Sequence, residues 1–179
     1  HLVNLFFSLL TIIGIGKLNK ELFNKEVGQI TFLILFFYPV FFGHMAFNSK
    51  DTILAFSHVW IFYYALKYFR NQNSNYKSLK YIVIIGLLSS LATGIQMVFF
   101  GSLIPILIFL ILDIFIFKIF KSKKFKTKKF IVDLGKCFLV FYSSLILFWI
   151  DAYPNVFLLP LNALIETFSS NYWTGWSYN

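Results

Sequence analysis

Cysteine is almost missing from this chain. Cys137 is the single example in 179 residues, which excludes an intrachain disulfide framework and a cysteine-built zinc cage. Charge is scarce as well, at 13% of residues, against about a quarter in an ordinary soluble domain. The remainder is strongly apolar: 59% hydrophobic, 22% aromatic with 25 Phe, and a mean hydropathy of +0.75. Intrinsic disorder is excluded, because such a chain collapses or inserts rather than staying solvated. A net charge of +9 would suit a nucleic-acid partner only if a soluble fold displayed it on one face. Here the charges sit in short islands between long apolar runs, so no nucleic acid is expected. The composition is that of an integral membrane protein.

Six apolar runs stand out: Leu2–Gly16, Gln29–Ala46, Thr52–Leu66, Tyr81–Phe99, Ser102–Phe117 and Phe130–Ala152. A bilayer core takes about 20 helical residues, so the first and third runs must borrow from their flanks. Helices are required, because open strands leave backbone groups unpaired in lipid, and the aromatics do not alternate as in a barrel. The expected fold is therefore all-α, a polytopic transmembrane helical bundle of about six spans. Residues 1–152 form its membrane domain, and 153–179 form a short interfacial segment on the outer face. In that tail two prolines exclude a further span, Leu161–Phe168 is a short amphipathic stretch, and Tyr172-Trp173-Thr174-Gly175-Trp176 reads as an interfacial aromatic belt.

Charge sets the expected orientation. The first, third and fifth connectors hold fourteen of the sixteen basic residues, from Lys17, Lys20 and Lys25 to the island Lys118–Lys129. The positive-inside rule puts these connectors in the cytoplasm, with His1 and the tail outside. The island reads first as a topology anchor and only second as an anionic-lipid site. No initiator Met or signal-peptide pattern opens the chain, and it stops after an aromatic cluster, so a fragment of a longer polytopic protein is expected.

Chemistry in such a chain is sought among ionisable residues within or beside spans. The richest stretch is Gly43-His44-Met45-Ala46-Phe47-Asn48-Ser49-Lys50-Asp51, on an otherwise uncharged outer face. Asp51, Ala55 and His58 fall on one helical face, expected to look into a cavity opening outward. Simpler roles exist for each. Asp51 can cap a helix, Lys50 can snorkel to headgroups, and His58 can hydrogen-bond a neighbouring helix. His1, His44 and His58 lack a metal-ligand spacing, so no metal site is assigned. Gln96 is a polar group expected at the same outer level as Asp51, and Asp133 with Lys136 reads as local neutralisation.

The run Tyr38-Pro39-Val40-Phe41-Phe42-Gly43-His44-Met45-Ala46-Phe47-Asn48-Ser49-Lys50-Asp51-Thr52 resembles a segment of bacterial glycosyltransferases related to the dolichyl-phosphate-mannose protein mannosyltransferases, of the GT-C class. The tail, with Asn162-Ala163-Leu164 and Asn171-Tyr172-Trp173-Thr174-Gly175, is similar to the segment preceding their outer domain. The resemblance implies a bacterial plasma-membrane enzyme that moves a sugar, with inversion, from a polyprenyl-phosphate carrier to an acceptor on the outer face. It implies that the main catalytic acid lies in an outer loop before His1, and that this fragment alone is inactive. Asp51 matches a second carboxylate lining the same cavity. Lys50 would face the phosphate, His44 and Asn48 would line the wall with His58, and Gln96 falls where relatives often carry an arginine. The sugar, the acceptor and any divalent metal stay open. Two readings compete: a transporter using Asp51 and His58 as an ion relay, and an assembly subunit without chemistry.

Overall fold

The computed structural model describes residues 2–41, 43, 49–117, 125–148 and 157–169. The helices are α1 (Leu2–Leu22), α2 (Lys25–Phe37), α3 (Ser49–Asn71), α4 (Asn75–Ile95), α5 (Val98–Leu112), α6 (Thr127–Phe148) and α7 (Leu159–Ser169). A π-helical turn, Asp113–Phe117, continues α5, and no strand occurs among the described residues. The chain is an all-α helical bundle. Among the described residues three helices, Leu2–Leu22, Asn75–Ile95 and Thr127–Leu147, are long and apolar enough to cross a membrane, and Val98–Leu112 is a shorter apolar helix. At 23 residues α3 reaches about 35 Å, enough to cross with its more polar face turned inward.

Helix ends follow local chemistry. Asn24 caps α2, its side-chain oxygen accepting from the Val27 N–H at 2.8 Å, and Glu26 adds an acid to the first turn. The second apolar run is not one continuous helix. Pro39 forces Tyr38 into extended backbone (φ −71°, ψ 113°), so α2 stops at Phe37. The fourth run likewise breaks, at Gln96-Met97, and α5 starts at Val98. The first and third runs gain their missing length at their C-terminal ends, through Leu22 and Asn71. The tail's amphipathic stretch lies within α7, three turns long, with Pro160 tolerated in the first turn.

Packing is inverted relative to a soluble protein. Asn4, Ser8, Thr11, Thr52, Ser57, Ser90 and Thr93 are buried, whereas Phe37 is 72% and Leu139 68% exposed. Only an apolar solvent rewards that arrangement: large side chains face lipid, and small polar ones let helices approach. Several hydroxyls are satisfied within their own helix, Thr11 donating to the Phe7 carbonyl at 2.8 Å and Ser90 to Leu87 at 2.9 Å. This is a multi-pass membrane protein.

In order of contact the bundle runs α2–α1–α3–α4–α6, with α5 beside α4 and α7 against α6. Helices α1 and α3 run parallel: Thr52 bonds Asn4, the Trp60 indole donates to the Leu10 carbonyl at 3.1 Å, and Lys67 pairs with Glu21. α4 and α6 also run parallel, since Asn75 accepts from Lys129 and Gly86 packs on Cys137 and Val140. The basic connectors thus meet at one end of the bundle. There Glu21 binds both Lys67 and Arg70.

The polar stretch 71–75 joins α3 to α4 and also makes a tertiary contact. Gln72 is buried, its amide donating to the Lys126 carbonyl at 3.0 Å and accepting from the Lys126 N–H at 2.8 Å. It ties the α3–α4 turn to the start of α6. Asp133 is held mainly by the Tyr68 hydroxyl at 3.0 Å, with Lys136 at 3.7 Å adding the expected i, i+3 contact. Glu21→Gln should lower stability by about 1 kcal/mol or less, since exposed pairs are weak even in a small network. Melting in detergent checks this, and the difference from wild type should shrink in high salt; one that survives high salt would contradict a screened ion pair.

Candidate active site at the acidic end of α3

Asp51 lies in the first turn of α3, where a carboxylate suits the helix dipole. Nineteen residues separate it from Arg70, so it sits about 30 Å from the basic end. An open groove of about 240 Å³ adjoins it, lined by Tyr38, Val40, Phe41, Asp51, Thr52 and Ala55. One wall comes from the end of α2 and the residues just after it. The other is the first two turns of α3. The break is one residue long: helix resumes at Pro39 after the extended Tyr38, and Tyr38, Val40 and Phe41 all line the groove. Below Asp51, the buried Thr52 hydroxyl donates to the Asn4 side-chain oxygen and locks α3 onto α1.

The groove is mostly apolar, with Asp51, Thr52 and Tyr38 its polar lining residues. Such a surface suits an amphiphile with a polar end near Asp51. Lys50 precedes Asp51 and is exposed.

The face expected to hold Asp51, Ala55 and His58 together divides. Asp51 and Ala55 line the groove, but His58, about 10 Å lower along the axis, turns to α5. Its Nε2 lies 3.0 Å from the Ser102 Oγ, and its ring is centred 4.3 Å from Phe99. The Ser102 hydroxyl also bonds the Phe99 carbonyl, at 2.6 Å, which fixes its position against the ring. Gln96 is exposed at the α4–α5 turn, its N–H bonded to the Ala92 carbonyl at 3.0 Å and its carbonyl accepting from Phe99 at 2.9 Å. His44 and Asn48 lie outside the described residues, as do most of the Lys118–Lys129 island and the run Tyr172–Trp176. No group of three metal-ligating side chains occurs among the described residues.

Residues overlooked in the sequence are Asn4, Thr52 and Ser102, together with Tyr38 as a groove wall. A signal existed for the first: Asn4, Ser8 and Thr11 recur at i, i+4 and i+7 within an otherwise apolar run, marking an inward face.

A family model described as dolichyl-phosphate-mannose-protein mannosyltransferase matches residues 1–149. The chain belongs to this family. The match spans all the helices from α1 through α6 and takes in the groove and its carboxylate. No curated protein and no solved structure matches the chain. Membership of the mannosyltransferase family makes it a membrane glycosyltransferase of the GT-C type, mannosyltransferase-like, and the family implies a lipid-linked sugar donor.

Proposed function

We propose that the protein transfers a sugar, with inversion, from a polyprenyl-phosphate carrier to an acceptor hydroxyl on the outer face of a bacterial plasma membrane. The observation that carries this reading is the mostly apolar groove lined by Asp51, at the opposite end of the bundle from the basic connectors. Positive-inside topology supports placing that end outside, together with the N-terminal start of α1 and the segment 153–179.

The chemistry is one displacement. The acceptor oxygen attacks the anomeric carbon as its proton passes to a carboxylate, and the bond from that carbon to the phosphate oxygen breaks. Polyprenyl phosphate departs with the electron pair. Asp51 orients the acceptor or supports a further carboxylate that takes the proton. Lys50 supplies positive charge where the departing phosphate gains negative charge, and Gln96 contacts the donor at the same level. His44 and Asn48 hydrogen-bond along the wall. His58 contributes from below, its ring already fixed by Ser102.

The complete gene product in proteoliposomes, given polyprenyl-phosphate-linked labelled sugar, should label an acceptor in the compartment facing Asp51, with the opposite anomeric configuration. Direct use of a nucleotide sugar, retention of configuration, or product only on the basic side would each refute the corresponding part of this reading.

A further inference from the structure

The basic end of the bundle carries a second concave site, unrelated to the groove and independent of the transfer reaction. A cleft of about 460 Å³ lies between the start of α4 and the start of α6. Lys128, Lys129 and Lys136 bring three ammonium groups to it, and Asp133 brings one carboxylate. That carboxylate is engaged by the Tyr68 hydroxyl at 3.0 Å and by Lys136 at 3.7 Å, so one acid offsets one of the three lysines and two positive charges remain in excess. Lys129 donates to the Gln72 carbonyl at 2.6 Å and to the Asn75 side chain at 2.8 Å, which fixes its ammonium and leaves one of three donors over. Lys128 and Lys136 are exposed. The cleft therefore has a positive excess held on a rigid frame.

Its other wall is apolar. Leu79 is 49% and Val132 57% exposed, and both line the same cleft. Positive charge next to exposed aliphatic surface, at the end of membrane-spanning helices, matches a molecule with an anionic head and a hydrocarbon tail. A free anion would gain nothing from Leu79 and Val132. A nucleic acid would need a broad basic face rather than a cleft. We infer that this cleft seats the phosphate headgroup of an anionic phospholipid from the leaflet on the basic side, with its acyl chains passing over Leu79 and Val132.

The test uses the full chain in nanodiscs of phosphatidylcholine doped with phosphatidylglycerol, with lipid retained by the protein counted by native mass spectrometry. Lys128→Gln with Lys136→Gln should reduce retained phosphatidylglycerol roughly tenfold. Lys20→Gln with Lys25→Gln, at the same end of the bundle but outside the cleft, should leave it nearly unchanged. Equal loss in both pairs would mean that interfacial charge alone attracts the lipid, and would overturn the site. So would unchanged retention in the first pair. Displacement of the lipid by glycerol phosphate at comparable concentration would show a free-anion site and overturn the lipid assignment. Should the double variant fail to fold, Lys128→Glu alone, at an exposed position, carries the same expectation and the same refutations.

Discussion

Replacing Asp51 by Asn in the complete protein is expected to lower sugar transfer at least about a hundredfold while leaving the melting temperature nearly unchanged. Asn keeps the size and an oxygen acceptor at the first turn of α3, but it cannot hold a proton or a full negative charge. If the carboxylate only served the helix dipole, its loss would cost a few tenths of a kcal/mol to about 1 kcal/mol of stability and nothing in turnover. The two roles therefore separate in one variant with two readouts. Lys50→Gln sharpens the comparison, since a cation near the donor phosphate should weaken binding and turnover together. An Asp51→Asn enzyme with full activity would remove this carboxylate from the mechanism.

The arrangement of that end was partly legible beforehand. The basic islands predicted which connectors share a side, and Glu21 with Lys67 and Arg70, and Gln72 with Lys126, place them together. Hydropathy also located the runs that become helices. It does not say which side of a helix meets which neighbour, because in lipid both faces of a span are apolar enough to satisfy the solvent. So the 48-residue pairing of Thr52 with Asn4, and the turn of His58 toward Ser102, required the helix order itself. Asp51 and Ala55 kept their shared groove because both lie near the top of α3. His58 lies deep enough for α5 to reach it first.

The helix ends tell a similar story. Pro39 was visible as a residue, and its effect on Tyr38 follows from a local steric rule. What local rules do not reach is the use made of the break. The residues after Phe37 become a wall only because α1 stands between α2 and α3 and sets their separation. The groove thus depends on how closely α2 approaches α1.

That dependence predicts a large effect at Gly28. A Cβ there would lie 2.7 Å from the Gly16 carbonyl oxygen, 2.8 Å from the Lys20 Cβ and 3.0 Å from the Lys20 backbone nitrogen. These are mostly backbone atoms of α1 and cannot swing aside, so α2 must move outward. Gly28→Ala should cost about 1–3 kcal/mol, the range for overpacking, and fall toward its upper end. Gly16→Ala should cost less, since its Cβ would meet the Gly28 oxygen at 3.2 Å and Phe32 at 3.3 Å, which small shifts relieve. Gly135→Ala on α6 meets nothing within 4 Å and should be neutral or stabilising by up to about 1 kcal/mol. Thermal unfolding of the three variants in detergent orders them. Transfer assays then link packing to the site, because an α2 displaced at Gly28 carries Tyr38 away from Asp51. Gly28→Ala should therefore lose activity even below its melting temperature, while Gly135→Ala should keep it. Equal stability for Gly28→Ala and Gly135→Ala would contradict the close approach of α1 and α2. Full activity in a destabilised Gly28→Ala would instead free the groove from the hairpin that builds its wall.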